Sequence, residues 1–260
     1  MVGRQGARRI ILVEWIWEKL EELGMSGKIF WEGIFPPYFL EWRQFARQMV
    51  FWGMESFPIA LLAGAISASI TSFLISESIK EAGGLGRNFV GGAVAQVMSR
   101  DLGPVLIGLI LCGRVGASIT SEIGSMKITE QLDALKSLGI DPFQFLVLPR
   151  CLAGILITPM LVATVIFFSV IIGYFPAKNV LDLSWFAYEY SIRTLFGQKY
   201  IRECLWKSAL FGFLIALISC HKGLAVQKGA EELGVKVTEG VVSSMVGILF
   251  TDLFLSAFYF

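Results

Sequence analysis

Four ionisable side chains stand where the surrounding sequence is nearly as apolar as lipid. Arg100 and Asp101 sit side by side in the run 95–116, Lys207 lies in 201–220, and Asp252 lies in 240–260. An ionised group at mid-bilayer costs roughly 2.5–3.5 kcal/mol on insertion scales, so such residues normally face a protein interior or a wet cavity. The four charges cancel. Lys207 comes soon after the start of its apolar run and Asp252 shortly before the end of the last one, which puts both roughly 10 Å below one surface and makes them partners for an ion pair. Arg100 falls near the same level or a little deeper. Two chemistries fit this set: the wall or gate of an internal cavity that handles a polar headgroup, or an ion-pair network that only holds helices together. Pro104, three residues after Asp101, removes a backbone donor and predicts a kink that opens space beside the charged pair.

Other chemistries find little support. Cys112, Cys151, Cys204 and Cys220 stand singly inside apolar segments, and His221 is the only histidine, so neither a metal site nor a disulfide framework is expected. The glycines of 81–88 form a turn, and no Gly-x-x-x-x-Gly-Lys-Ser/Thr pattern occurs anywhere, so hydrolysis of ATP through that motif is not expected of this chain. The net charge of +1 and the scattered basic residues give no sign of nucleic-acid binding.

The elements that must position the charges are membrane spans. Of 260 residues, 55% are hydrophobic and 17% charged, against about 25% charged in soluble domains, and the mean hydropathy is +0.67. A spanning helix needs about 20 largely apolar residues. Five segments qualify, at 49–76, 88–122, 146–175, 201–221 and 240–260. With the N-terminus inside, the cytoplasmic segments carry fourteen Lys and Arg and the outer ones six, which predicts a cytoplasmic N-terminus and an outer C-terminus. The expected fold is therefore an all-α membrane protein.

Residues 8–24 place Val13, Ile16, Trp17, Leu20 and Leu23 on one face and glutamates on the other, which predicts an amphipathic helix in the membrane interface; a helix packed on a partner is the alternative. The stretch 178–200 is an aromatic-rich outer loop with some helical periodicity. Gly64 with Ala68, and Gly116, Thr120 and Gly124, recur four apart and predict close helix packing, within one chain or between two.

The connector after the second span is the most informative. Ile128, Leu132, Leu135 and Leu138 fall on one face of a short helix, Glu130, Asp133 and Lys136 on another, and Gly139 and Pro142 supply stop signals. A helix of this kind, expected over 125–138, needs the bilayer or a soluble partner for its apolar face.

Within 102–150 the sequence carries Leu102-Gly103-Pro104, Gly113-Arg114-Val115-Gly116, Glu122-Ile123-Gly124-Ser125-Met126, Thr129-Glu130-Gln131, Asp141-Pro142 and Pro149-Arg150. As one block these resemble the signature of the MlaE-type (YrbE-type) permeases, the membrane subunits of lipid-transporting ABC systems. The chain length, interfacial helix and five spans agree with that family, so the resemblance covers nearly all of residues 1–260 as a single permease domain. The chain departs from the family at Asp101, where a glutamate is usual, and near Ser76, where a glutamine is often found.

The resemblance implies a homodimer in the bacterial inner membrane, a cytoplasmic ABC ATPase that holds the ATP and magnesium, and an MCE-domain lipid-binding protein in the periplasm. It further implies a STAS-domain subunit in many systems and phospholipid as cargo. No cofactor is expected on this chain, and it is not expected to be an enzyme. Carried onto this sequence, the cavity residues are Phe73, Leu74, Arg100, Asp101, Leu102, Lys207 and Asp252. The ATPase-coupling residues are Ser125, Met126, Thr129, Glu130, Gln131, Leu132, Asp133 and Leu135, and the structural motif comprises Pro104, Gly113, Arg114, Gly116, Glu122 and Gly124. An ion-driven secondary transporter or channel built on the buried charges, and a scaffold that only anchors peripheral subunits, are the alternatives from other classes.

Overall fold

The computed structural model describes residues 42–259, apart from Leu85 and Lys228, and every regular element in them is helical. The helix expected over 8–24 lies outside the described residues. Five helical segments are long and apolar enough to cross a membrane, at Gln44–Glu81, Arg87–Ile128, Phe143–Leu181, Gln198–Leu224 and Gly229–Ala257.

The first contains α1 (Trp42–Gly53) and α2 (Phe57–Glu81), which Pro58 opens. The second begins with a 3-10 turn at Arg87–Phe89 and runs through α3 (Val90–Val97), α4 (Gly103–Leu111) and α5 (Ala117–Ile128). π-helical turns at Met98–Leu102 and Cys112–Gly116 join these three pieces. α6 is the short Gln131–Ser137. A third π turn at Phe143–Val147 leads into α7 (Leu148–Ile172) and α8 (Tyr174–Leu181), and α9 (Trp185–Leu195) connects to α10 (Gln198–Leu224) and α11 (Gly229–Tyr259).

α10 is the central helix. Within its most apolar window 61% of residues are buried, against 22% to 50% for the other four spans, and it packs on α7, α11 and α5. Its tightest crossing is at Gly212 and Gly154 of α7, where a Cβ on Gly154 would lie 2.5 Å from the Gly212 carbonyl oxygen. Lipid supplies no hydrophobic drive for helix association, so close backbone approach of this kind supplies the attraction instead. Gly212→Val is expected to lower the thermal unfolding midpoint of the purified chain, since overpacking typically costs about 1–3 kcal/mol. An unchanged midpoint would show that this crossing is not tight in the membrane.

The apolar faces left outward carry Leu62, Ile66 and Ile70 on α2, Met160 and Phe167 on α7, and Phe250, Leu253 and Phe254 on α11, all more than half exposed in the single chain. On α2 the buried face is the small-residue line Ala60, Gly64, Ala68, Ser72 and Ser76, set against α7 and α8.

The stretch 178–200 is more ordered than a loop. Within it α9 packs on α3, where Gly91 and Gly92 leave room for it. The Gly92 amide donates to Ser191 Oγ at 2.9 Å, and Gln96 Nε2 donates to the Leu195 carbonyl at 2.8 Å.

Candidate functional site

The charged residues of three spans meet at one point. Lys207 Nζ, on α10, donates to Asp252 Oδ1 at 2.9 Å, Ser256 Oγ at 2.9 Å, the Arg100 carbonyl at 3.0 Å and Asp101 Oδ1 at 3.1 Å. An ammonium has three N–H bonds, so four acceptors share three donors, and Ser256 in turn donates to Asp101 Oδ1 at 3.4 Å. The Lys207 side chain is 3% exposed, Asp252 19% and Asp101 49%. A buried cation is thus neutralised from within while one carboxylate of its pair opens on the surface of the chain.

Backbone chemistry explains the fourth acceptor. In an unbroken α-helix the Arg100 carbonyl would accept from the N–H of residue 104, and Pro104 has none. The chain answers with the π turn Met98–Leu102, whose exit pairs the Gly103 amide with the Met98 carbonyl. Lys207 satisfies the Arg100 oxygen. The kink expected from Pro104 therefore takes the form of a widened turn that carries Arg100 and Asp101.

Lys207 and Asp252 form the pair their depths suggested. Ser256 is a partner that sequence reasoning missed, although its place four residues after Asp252 puts it on the same helix face. Leu102 is 39% exposed beside Asp101. Phe73 and Leu74, at 45% and 57% exposure, lie on the side of α2 turned away from this chain's own packing, so any chamber they line is not enclosed by this chain alone.

The structural-motif residues fall into two further links. Arg114, on the second π turn, donates to Ser56 Oγ and Glu55 Oε2, both at 2.6 Å, and lies 5.8 Å over the Phe51 ring, tying the second span to the junction of α1 and α2. Arg150, 4% exposed, donates to Glu122 Oε2 at 2.7 Å and to the Leu146 carbonyl at 2.8 Å, which spans the third π turn. Gly116 lies against Ser219 and Ile215 of α10, and Gly124 lies against Leu233 and Val226; neither has room for a side chain without movement. Gly113 has open space around it.

The connector differs from expectation. The single helix over 125–138 is two, because α5 runs on to Ile128 and the chain turns at Thr129–Glu130 before α6. Thr129 Oγ1 donates back to the Ser125 carbonyl at 2.9 Å, and Glu130 has φ 58°, a left-handed conformation that no continuous helix accommodates. Nor is the apolar face wholly without a partner: Leu132 is 2% exposed, on a helix that folds back on α5, whereas Leu138 is 75% exposed.

Five apolar spans around a buried lysine–carboxylate hub, with a short helix hung between the second and third, define a multi-pass membrane protein. The family model described as Permease MlaE matches residues 45–258, and the chain belongs to that family. A probable ABC transporter permease protein of Rickettsia prowazekii is 35% identical over 225 residues, covering 86% of this chain and 85% of that one. A second such protein, of Synechocystis, is 32% identical, covering 82% of this chain and 81% of its own. The chloroplastic protein TRIGALACTOSYLDIACYLGLYCEROL 1 of Arabidopsis thaliana is 34% identical over 85% of this chain, which spans 63% of that longer protein. An ABC permease is not itself an enzyme and works with an ATPase subunit.

Proposed function

We propose that this chain is the membrane subunit of an ATP-driven transporter that moves phospholipid between a bacterial inner membrane and an extracytoplasmic lipid-binding protein of the MCE type. It acts as a homodimer, with its N-terminus cytoplasmic and its C-terminus periplasmic. A cytoplasmic ATPase subunit holds the ATP and magnesium, and many systems of this kind add a STAS-domain subunit. Arg100, Asp101, Leu102, Lys207 and Asp252 line the headgroup end of the chamber between the two copies, and Phe73 and Leu74 line its apolar side. The residues from Ser125 to Leu138, among them Met126, Gln131, Asp133 and Leu135, receive the stroke of the ATPase.

The observation that carries this reading is the hub itself. A buried cation held by two carboxylates, one of them half exposed, offers polar contacts at the edge of an otherwise apolar wall, which suits an amphiphile whose head and tails need different surroundings. The name of the Arabidopsis relative, which is that of a diacylglycerol glycolipid, favours lipid as cargo.

The test is transfer of fluorescent phospholipid in vesicles holding the permease with its co-purified ATPase. ATP-dependent transfer is expected, falling at least tenfold in Asp101→Asn with assembly intact. Transfer without any ATPase would make the chain an ion-driven carrier, and loss of assembly in Asp101→Asn would make the hub a structural network.

A further inference from the structure

The first span is broken where the second is widened. α1 ends at Gly53 and α2 begins at Phe57, and the π turn Cys112–Gly116 carries Arg114 to that break. The guanidinium grips both sides of it. Its face lies over Phe51 of α1, while its two terminal nitrogens donate to Glu55, within the break, and to Ser56, the residue before α2. A π turn inside an α-helix is a place where the helix bends. This one is pressed against α10 at Gly116, where a Cβ would lie 2.9 Å from Ser219 Oγ, and meets nothing beside Gly113. It has room to yield on one side only.

Arg114 also stands midway along the second span. Asp101 of the hub lies thirteen residues before it and Ile128, where α5 ends, fourteen after, which is about 20 Å either way. The helices it joins have different neighbours: α1 and α2 pack on α7, whereas α5 packs on α10 and α11. Arg114 is thus a polar clamp between the span that leads into the connector and the span that bears Phe73 and Leu74.

We propose that Arg114 is a positioning residue for transport, carrying displacement of the connector from the second span into the first, so that α2 and its Phe73–Leu74 wall move with α5. The proposal rests on the ATP-driven reading of the connector. Its chemistry calls for arginine. A planar fork makes two hydrogen bonds at a fixed separation and lays its face on a ring, whereas a lysine is a single point charge. Arg114→Lys therefore keeps the charge and loses the grip. With Arg114 27% and Glu55 53% exposed, the ion pair itself adds little to stability, so holding the fold together is a poor account of the clamp.

The test uses the permease with its co-purified ATPase in vesicles, carrying one spin label in place of Leu138, just past α6, or of Phe73, on α2; the two positions are 75% and 45% exposed. In the wild type, ATP should change the spectrum of both labels. In Arg114→Lys the response at Leu138 should persist and that at Phe73 should vanish. Lipid transferred per ATP hydrolysed should fall at least about tenfold, the size of one charge-assisted hydrogen bond, with the thermal midpoint within about 3 °C of wild type. Glu55→Gln, which still offers the fork an acceptor, should keep the Phe73 response. A Phe73 response that persists in Arg114→Lys, one that is lost in Glu55→Gln, or ATP turnover, transfer and midpoint that all fall together would overturn the inference and leave the transport reading standing. A wild type in which neither label responds to ATP would instead remove the ATP-driven reading, and this inference with it.

Discussion

Replacing Lys207 by methionine is expected to abolish phospholipid transfer and to destabilise the chain at once. The ammonium is 3% exposed and answers two carboxylates, a hydroxyl and the carbonyl orphaned by Pro104. Breaking a buried pair by removing one partner costs about 3–5 kcal/mol. The lower end applies here, because Asp101 is half exposed and water screens it. The informative comparison is the double variant Lys207→Met/Asp252→Asn, which removes one charge of each sign and should recover most of the thermal midpoint. If the hub serves the headgroup, transfer stays lost in the double variant; if the hub is only a structural network, transfer returns with stability.

The second large effect is expected at the connector. Leu132 is buried inside the chain, so Leu132→Ala should cost about 2–4 kcal/mol of stability and is a poor probe of coupling. Leu138, 75% exposed just past α6, is the better one. In Leu138→Asp the thermal midpoint should barely move, since exposed substitutions usually change stability by about 0.5 kcal/mol or less. ATP turnover by the complex should then lose its dependence on lipid, and transfer should fall at least tenfold. ATPase rate and transfer both measured at wild-type levels in Leu138→Asp would remove this connector from the coupling path.

The parts of this structure legible in the sequence are those governed by the bilayer itself. Five apolar runs become five spans because hydrocarbon admits few other backbones, and Lys207 finds Asp252 because an unpaired charge at that depth is so unfavourable. What sequence reasoning missed depends on local backbone competition. Pro104 announces a disturbance, but not that a π turn and a lysine from another helix would share its repair. The break at Glu130 is set by a left-handed residue, for which glutamate gives no signal. The anchoring of Arg114 to Ser56 and of Arg150 to Glu122 joins residues 58 and 28 positions apart, which periodicity does not register. Phe73 and Leu74 illustrate a further limit, since the outward face of α2 reads the same whether it meets lipid or a second copy.

The most direct test of the central claim is the reactivity of a cysteine at Leu102, next to Asp101 and 39% exposed, toward a water-soluble maleimide in the membrane-embedded complex. The four native cysteines are buried, and a thiol reacts only where water supports its thiolate. A chamber for lipid headgroups predicts labelling within minutes, slowed when phospholipid saturates the complex and altered when ATP is added. No labelling in the membrane, with full labelling of the denatured chain, would place this face in the acyl phase and contradict the account.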